Sequence, residues 1–192
     1  MLREKLQNYR LILASASPRR HQFFKELHLD FTVEVREVEE IYPKELKGSQ
    51  ITDFLADLKS KAFTNLKENE LVITSDTIVW HENMALGKPK NHQEAFEMLR
   101  ALSGRKHEVI SSISIKGKNF QKIINEVTVV YFKEISDAEI NYYINNYKPF
   151  DKAGGYGIQE WIGLIAIEKI EGSFFNVVGL PVQKLYKELM EL

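Results

Sequence analysis

Asp76 stands in the middle of Leu71-Val72-Ile73-Thr74-Ser75-Asp76-Thr77-Ile78-Val79-Trp80, a run that is otherwise β-rich. A carboxylate buried there without a partner would cost on the order of several kcal/mol, so something must compensate it. Two answers are open. One is a structural salt bridge; the other is a carboxylate that binds a divalent cation or accepts a proton at a strand end. Glu39-Glu40, in an acidic stretch, offers a second carboxylate, although an acidic pair in a loop is ordinarily just solvated.

Ser15-Ala16-Ser17-Pro18-Arg19-Arg20 follows the apolar run Leu11-Ile12-Leu13-Ala14. Ser17 before Pro18 has the form of an N-cap with proline at the first helical position. Unpaired N–H groups and the positive end of the dipole make such a terminus favourable for an anion, and Arg19 and Arg20 add guanidinium forks that match phosphate oxygens. An ordinary cap with two surface arginines uses the same residues. Lys61 borders the apolar face of a long helix, and Lys88 stands in Gly87-Lys88-Pro89; each alone is more often solvent-exposed than functional. Carboxylates for a hard cation, with Arg and Lys for phosphates, are the equipment of phosphoryl chemistry. The P-loop pattern, the G-x-S-x-G elbow and any metal-binding histidine spacing are absent.

The elements that must position these groups alternate between helix and strand. Leu11–Ala14 predicts a short buried strand, residues 18–27 a helix, Phe31–Val33 a second strand and residues 36–48 a loop. Ile51, Phe54, Leu55, Leu58, Ala62, Phe63 and Leu66 share one face of a helix expected to end near Glu68, ahead of the strand that carries Asp76. Asn91 with Glu94, and Ser136 with Glu139, resemble capping boxes that open two more helices. Val109–Lys116 and Ile123–Phe132 form an expected hairpin. A glycine-rich loop, Gly154-Gly155-Tyr156-Gly157, leads to an expected strand over Leu164–Ile170, a loop through Gly172 and Gly179, and a last helix after Pro181. The pattern predicts an α/β or α+β fold with a mixed sheet.

Composition sets the outer bounds. The chain has 192 residues, 44% hydrophobic and 28% charged, which suits one large domain or two small lobes. A net charge of -1 provides no global field for a nucleic acid, so any phosphate site is local. Cysteine is absent, which removes disulfides and thiolate chemistry. No apolar run is long enough to span a bilayer. We therefore expect a soluble cytoplasmic protein without nucleic-acid or membrane partners.

Leu13-Ala14-Ser15-Ala16-Ser17-Pro18-Arg19-Arg20, Ser75-Asp76-Thr77, Gly87-Lys88-Pro89, Leu102-Ser103-Gly104 with His107-Glu108-Val109, Asp151 through Gln159, and Glu171-Gly172-Ser173 with Asn176 through Pro181 together resemble the Maf family of nucleoside triphosphate pyrophosphatases. The motifs run nearly end to end. The resemblance implies a single Maf-like domain over 1–192, two-lobed around a nucleotide cleft and related in fold to the inosine triphosphate pyrophosphatases. It implies hydrolysis of a nucleoside triphosphate to monophosphate and pyrophosphate with Mg²⁺ or Mn²⁺, and a homodimer. By motif, Asp76 would be the proton acceptor, Glu40 its helper at the metal or water, and Ser17, Arg19, Arg20, Lys61 and Lys88 the phosphate ligands. Arg19, Thr77 and Gln159 match the branch acting on dTTP and UTP. Gly155 for a frequent alanine, and Trp161 where small residues are common, depart from the pattern. A nucleotide-binding regulator of cell division or septation is the competing function, disfavoured because both carboxylates are retained. A house-cleaning enzyme for damaged purines is disfavoured by Gln159.

Overall fold

The computed structural model describes residues 1–192. In chain order the elements are α1 (Leu2–Lys5), β1 (Arg10–Leu13), α2 (Pro18–Glu26), β2 (Phe31–Val33), α3 (Ser49–Lys61), β3 (Glu70–His81), β4 (Met84–Leu86), α4 (His92–Leu102), β5 (Lys106–Lys116), β6 (Gln121–Phe132) and α5 (Asp137–Tyr147). A single 3-10 turn at Ala153–Gly155, α6 (Trp161–Ala166), β7 (Ile167–Glu171), α7 (Phe174–Val178) and α8 (Val182–Glu191) complete the chain. The strands make one seven-stranded sheet in the order β2-β1-β3-β5-β6-β7, with β4 also paired to β3. β1 runs parallel to β2 and β3, whereas β3–β4 and β6–β7 are antiparallel, which is the mixed α/β class expected.

The chain divides into two compact units, one of Met1–Asp76, Ser111–Glu126 and Gly179–Leu192, the other of Thr77–Ile110 and Val127–Val178. In the first, Leu11 and Leu13 of β1, Leu71 and Ile73 of β3, Ile51 of α3 and Phe24 of α2 are almost wholly buried. β3 is buried along nearly its whole length, as a continuous apolar run in a covered sheet must be. In the second unit Ala95, Leu99 and Leu102 form the inward face of α4, and Ile140, Tyr143 and Ile144 that of α5. Ser136 and Glu139 cap each other reciprocally as expected, whereas at α4 only half of the expected box forms: Asn91 accepts from the Glu94 N–H at 2.9 Å, but the Glu94 carboxylate accepts from the Lys90 N–H at 2.9 Å instead of from Asn91.

Four boundaries differ from expectation. α3 stops at Lys61 rather than near Glu68, because Asn65 turns the chain at φ 57°. There Lys116 Nζ donates to the carbonyls of Ser60 (3.1 Å) and Phe63 (2.9 Å), and Arg36 donates to that of Ala62 (2.7 Å). Leu66 is buried all the same, and so continued the helical periodicity past the true end. The strand expected over Leu164–Ile170 is split into α6 and β7. Gly163 lies so close to the Ile158 carbonyl that a Cβ would stand 1.7 Å from its oxygen, a contact that spacing of isoleucines does not reveal. Met84–Leu86 adds a short strand, and Phe174–Val178 puts a short helix in what was expected as loop.

Candidate active site

Asp76 becomes tenable in the sheet because a neighbouring strand has ended. β1 pairs with β3 only as far as Leu13 opposite Ile73, and the last tie is the Ala14 N–H donating to the Ile73 carbonyl at 2.9 Å. Asp76 lies three residues beyond, past the C-terminal end of a parallel strand, where open α/β sheets place ligands. It is 7% exposed, and Ser75 beside it is 1% exposed with a hydroxyl oxygen that has no hydrogen-bond partner.

The compensating cation is Lys59. Its ammonium lies 2.6 Å from Asp76 Oδ1 and 3.0 Å from Glu40 Oε1, so one positive charge bridges both carboxylates. Thr74 Oγ1 donates to the Ala56 carbonyl at 2.6 Å, which registers α3 on β3 and brings Lys59 over Asp76. Lys61, expected to hold phosphate, does not reach this group. It pairs with Asp57 one turn back at 2.6 Å, and its side chain is 66% exposed. The signal for Lys59 was present: it lies four residues after Leu55 and three after Ala56, both buried, and so projects from the apolar stripe. Glu40 does join Asp76, through Lys59.

Ser17 is the N-cap of α2 with Pro18 at the first position, as expected, but its hydroxyl makes no capping bond. The first turn holds no acidic residue and two arginines, which is the charge sign the helix dipole opposes. An anion bound there would oppose that unfavourable sign. Arg20 is committed largely to the chain itself: Nε donates to the Gly179 carbonyl at 2.9 Å, and Nη1 to the Ser75 carbonyl at 2.8 Å and Ser15 Oγ at 3.3 Å. Burial lowers its pKa to about 10, opposed by Asp76 and Glu40, so it remains a cation. Arg20 therefore ties the ends of β1 and β3 together while placing its charge beside the carboxylates.

Thr77, Lys88 and Gln159 belong to the second unit. Lys88 is exposed, and the Gly87 carbonyl before it accepts the Gly154 N–H at 3.0 Å. Gly154 adopts φ +67°, and a Cβ there would lie 2.7 Å from Val79, so this approach requires glycine. Gln159 is exposed at the end of a loop whose Tyr156 is buried. The Tyr156 hydroxyl is 2.7 Å from His107 Nε2. Burial pushes the Tyr156 phenol up and holds His107 down at about 3, with His81 adding to the latter, so both are neutral.

Glu40 and Asp76 supply the hard oxygen donors that Mg²⁺ or Mn²⁺ prefers, directed at one point that an ammonium already marks as favourable for positive charge. The donor set therefore fits a divalent cation. No group of three or more acidic or histidine side chains gathers anywhere in the chain, so Glu40 and Asp76 are the residues that would hold such a cation.

The Maf-like protein family pattern matches residues 10–192. The dTTP/UTP pyrophosphatase of Flavobacterium johnsoniae is 58% identical over 193 residues, covering 100% of this chain and 100% of its own. That of Christiangramia forsetii is 58% identical over 193 residues, covering 100% of this chain and 98% of its own. Among solved structures, a HAM1 protein from Coxiella burnetii has a TM-score of 0.50 at 14% identity, over 96% of this chain and 100% of that one, a likeness of fold alone.

Proposed function

The chain belongs to the Maf family, and from that membership we propose that it hydrolyses nucleoside triphosphates, dTTP and UTP among them, to the monophosphate and pyrophosphate. The observation that carries this reading is the pair of carboxylates on one lysine ammonium, in the same unit as a helix that begins with two arginines. Water attacks the α-phosphorus, Asp76 takes its proton, and the bond to the bridging oxygen of the β-phosphate breaks. Lys59 holds the Asp76 and Glu40 oxygens in place. Arg19, the Ser17 hydroxyl and the N–H groups that open α2 receive the phosphates and offset the charge of the departing pyrophosphate. Arg20 contributes its charge and fixes the Ser75 carbonyl. A divalent cation, when bound by Glu40 and Asp76, would supply further neutralisation of phosphate charge.

Gln159, with Thr77, selects the base. A glutamine amide complements the O4 and N3–H edge of uracil and thymine in one orientation, and cytosine presents the opposite pattern. Anion-exchange chromatography of dTTP turnover tests the reaction: dTMP and pyrophosphate are expected. Release of dTDP and inorganic phosphate would mean attack at the γ-phosphorus and would overturn the assignment.

A further inference from the structure

An amide that reads a base edge discriminates only if it is held in one sense, because a half-turn exchanges its donor and acceptor. The chain from Lys152 to Glu160 closes into a small clamp next to Gln159. Lys152 Nζ, on a side chain 9% exposed, lies 3.0 Å from Glu160 Oε1 and 2.7 Å from Asp151 Oδ1. The other Glu160 oxygen accepts from the Tyr143 hydroxyl. The same phenol oxygen accepts the Gly157 N–H at 3.0 Å, and the Glu160 N–H donates to the Gly157 carbonyl at 3.0 Å. The turn over residues 157–160 is thus pinned at both ends. A Cβ on Gly157 would stand 3.0 Å from Gln159 Nε2 and 2.9 Å from Lys152 Cε, so the glutamine folds back over the glycine that the clamp holds.

An ammonium, a carboxylate and a phenol drawn together on mostly buried side chains are weak evidence for stability, since well-packed apolar residues of the same volume often serve as well or better. Such a network is better explained by the orientation it fixes. We propose that Tyr143, Glu160 and Lys152 are positioning residues for base choice: they lock the 157–160 turn so that Gln159 presents its amide in one sense. The inference rests on the reading of Gln159 given above. Burial and the neighbouring Glu160 push the Tyr143 phenol well up, which keeps it a proton donor across the working pH range.

The test is kcat/KM for dTTP, UTP and CTP with the wild-type chain, Tyr143→Phe and Glu160→Gln. Phenylalanine keeps the ring that fills the core and removes only the hydroxyl; glutamine is isosteric and removes the charge that pairs with Lys152. The dTTP to CTP preference is expected to fall by about fivefold or more in each variant, the size of effect that one lost buried hydrogen bond produces. The loss should appear mainly in KM for dTTP, with kcat within about threefold, because the reacting groups are untouched. Should Tyr143→Phe melt below the assay temperature, Glu160→Gln carries the same comparison. A folded variant with an unchanged preference overturns the clamp alone, as does a parallel loss on every nucleotide, which marks a merely structural role. A wild-type chain without preference overturns the Gln159 reading and the clamp with it.

Discussion

Lys59→Met removes the charge that Asp76 and Glu40 share while keeping an apolar stem of similar length. The Asp76 and Lys59 side chains are 10% and 18% exposed, so the pair is largely withdrawn from water. Deleting one partner of a buried pair costs about 3–5 kcal/mol, and residual solvent contact on both side chains reduces that here to about 2–3 kcal/mol. At roughly 2–4 °C per kcal/mol for a chain of this size, Tm should fall by about 4–12 °C. The variant then has two carboxylates facing one point without a cation, and Mg²⁺ should stabilise it more than it stabilises the wild type. At tenfold excess over Kd the gain is about 1.4 kcal/mol, or about 3–6 °C. Calorimetry of both chains with and without MgCl₂, at matched ionic strength, measures both effects. A Tm within about 1 °C of wild type, or an equal response to Mg²⁺ in both chains, would refute the shared-cation account.

Two further outcomes follow from the same geometry. Asp76→Asn should lower kcat by about 100-fold or more with the fold retained, as expected for loss of a proton acceptor, and steady-state kinetics paired with thermal melting checks it. Near-native turnover in a folded variant would make Asp76 structural. His107 should steepen acid destabilisation: it binds a proton only near about 3 in the folded chain against 6.5 in the unfolded one. Between those values the unfolded state holds more protons, so stability is full above the upper value and declines as pH falls, by at most about 1.4 kcal/mol per pH unit. Melting from pH 6.5 to 4.5 should be flatter for His107→Gln, and identical slopes would show that other groups govern the acid limb.

What was legible in the sequence was local. The apolar faces of α4 and α5, the Asn91 N-cap and the Ser136–Glu139 capping box are visible because their partners lie within one helical turn. Asp76 is visible because a lone acid in a β-rich run is an anomaly at any depth. Lys59 was passed over for Lys61 because both border the same stripe, and only the registration of α3 on β3 through Thr74 and the Ala56 carbonyl separates them. Arg20 is expected to hold phosphate, and the structure ties it to Ser75 and Gly179 across 55 and 159 positions of chain. No spacing rule reaches so far. The split of the expected strand at Leu164–Ile170 has the same origin: isoleucine spacing suited a strand, while backbone contact at Gly163 required a turn of helix first.

The two arginines that open α2 have a consequence for anyone seeking a hardier version of this protein. An acidic side chain in that first turn would suit the dipole and add about 0.3–1 kcal/mol, so selection on heat resistance alone would enrich substitutions at Arg19. On the function proposed above, each such gain would exchange an attraction for triphosphate for a repulsion. A library screened by survival after heating would therefore drift toward well-folded proteins with poor uptake of substrate, and activity must be scored in the same round if this turn is left free to vary.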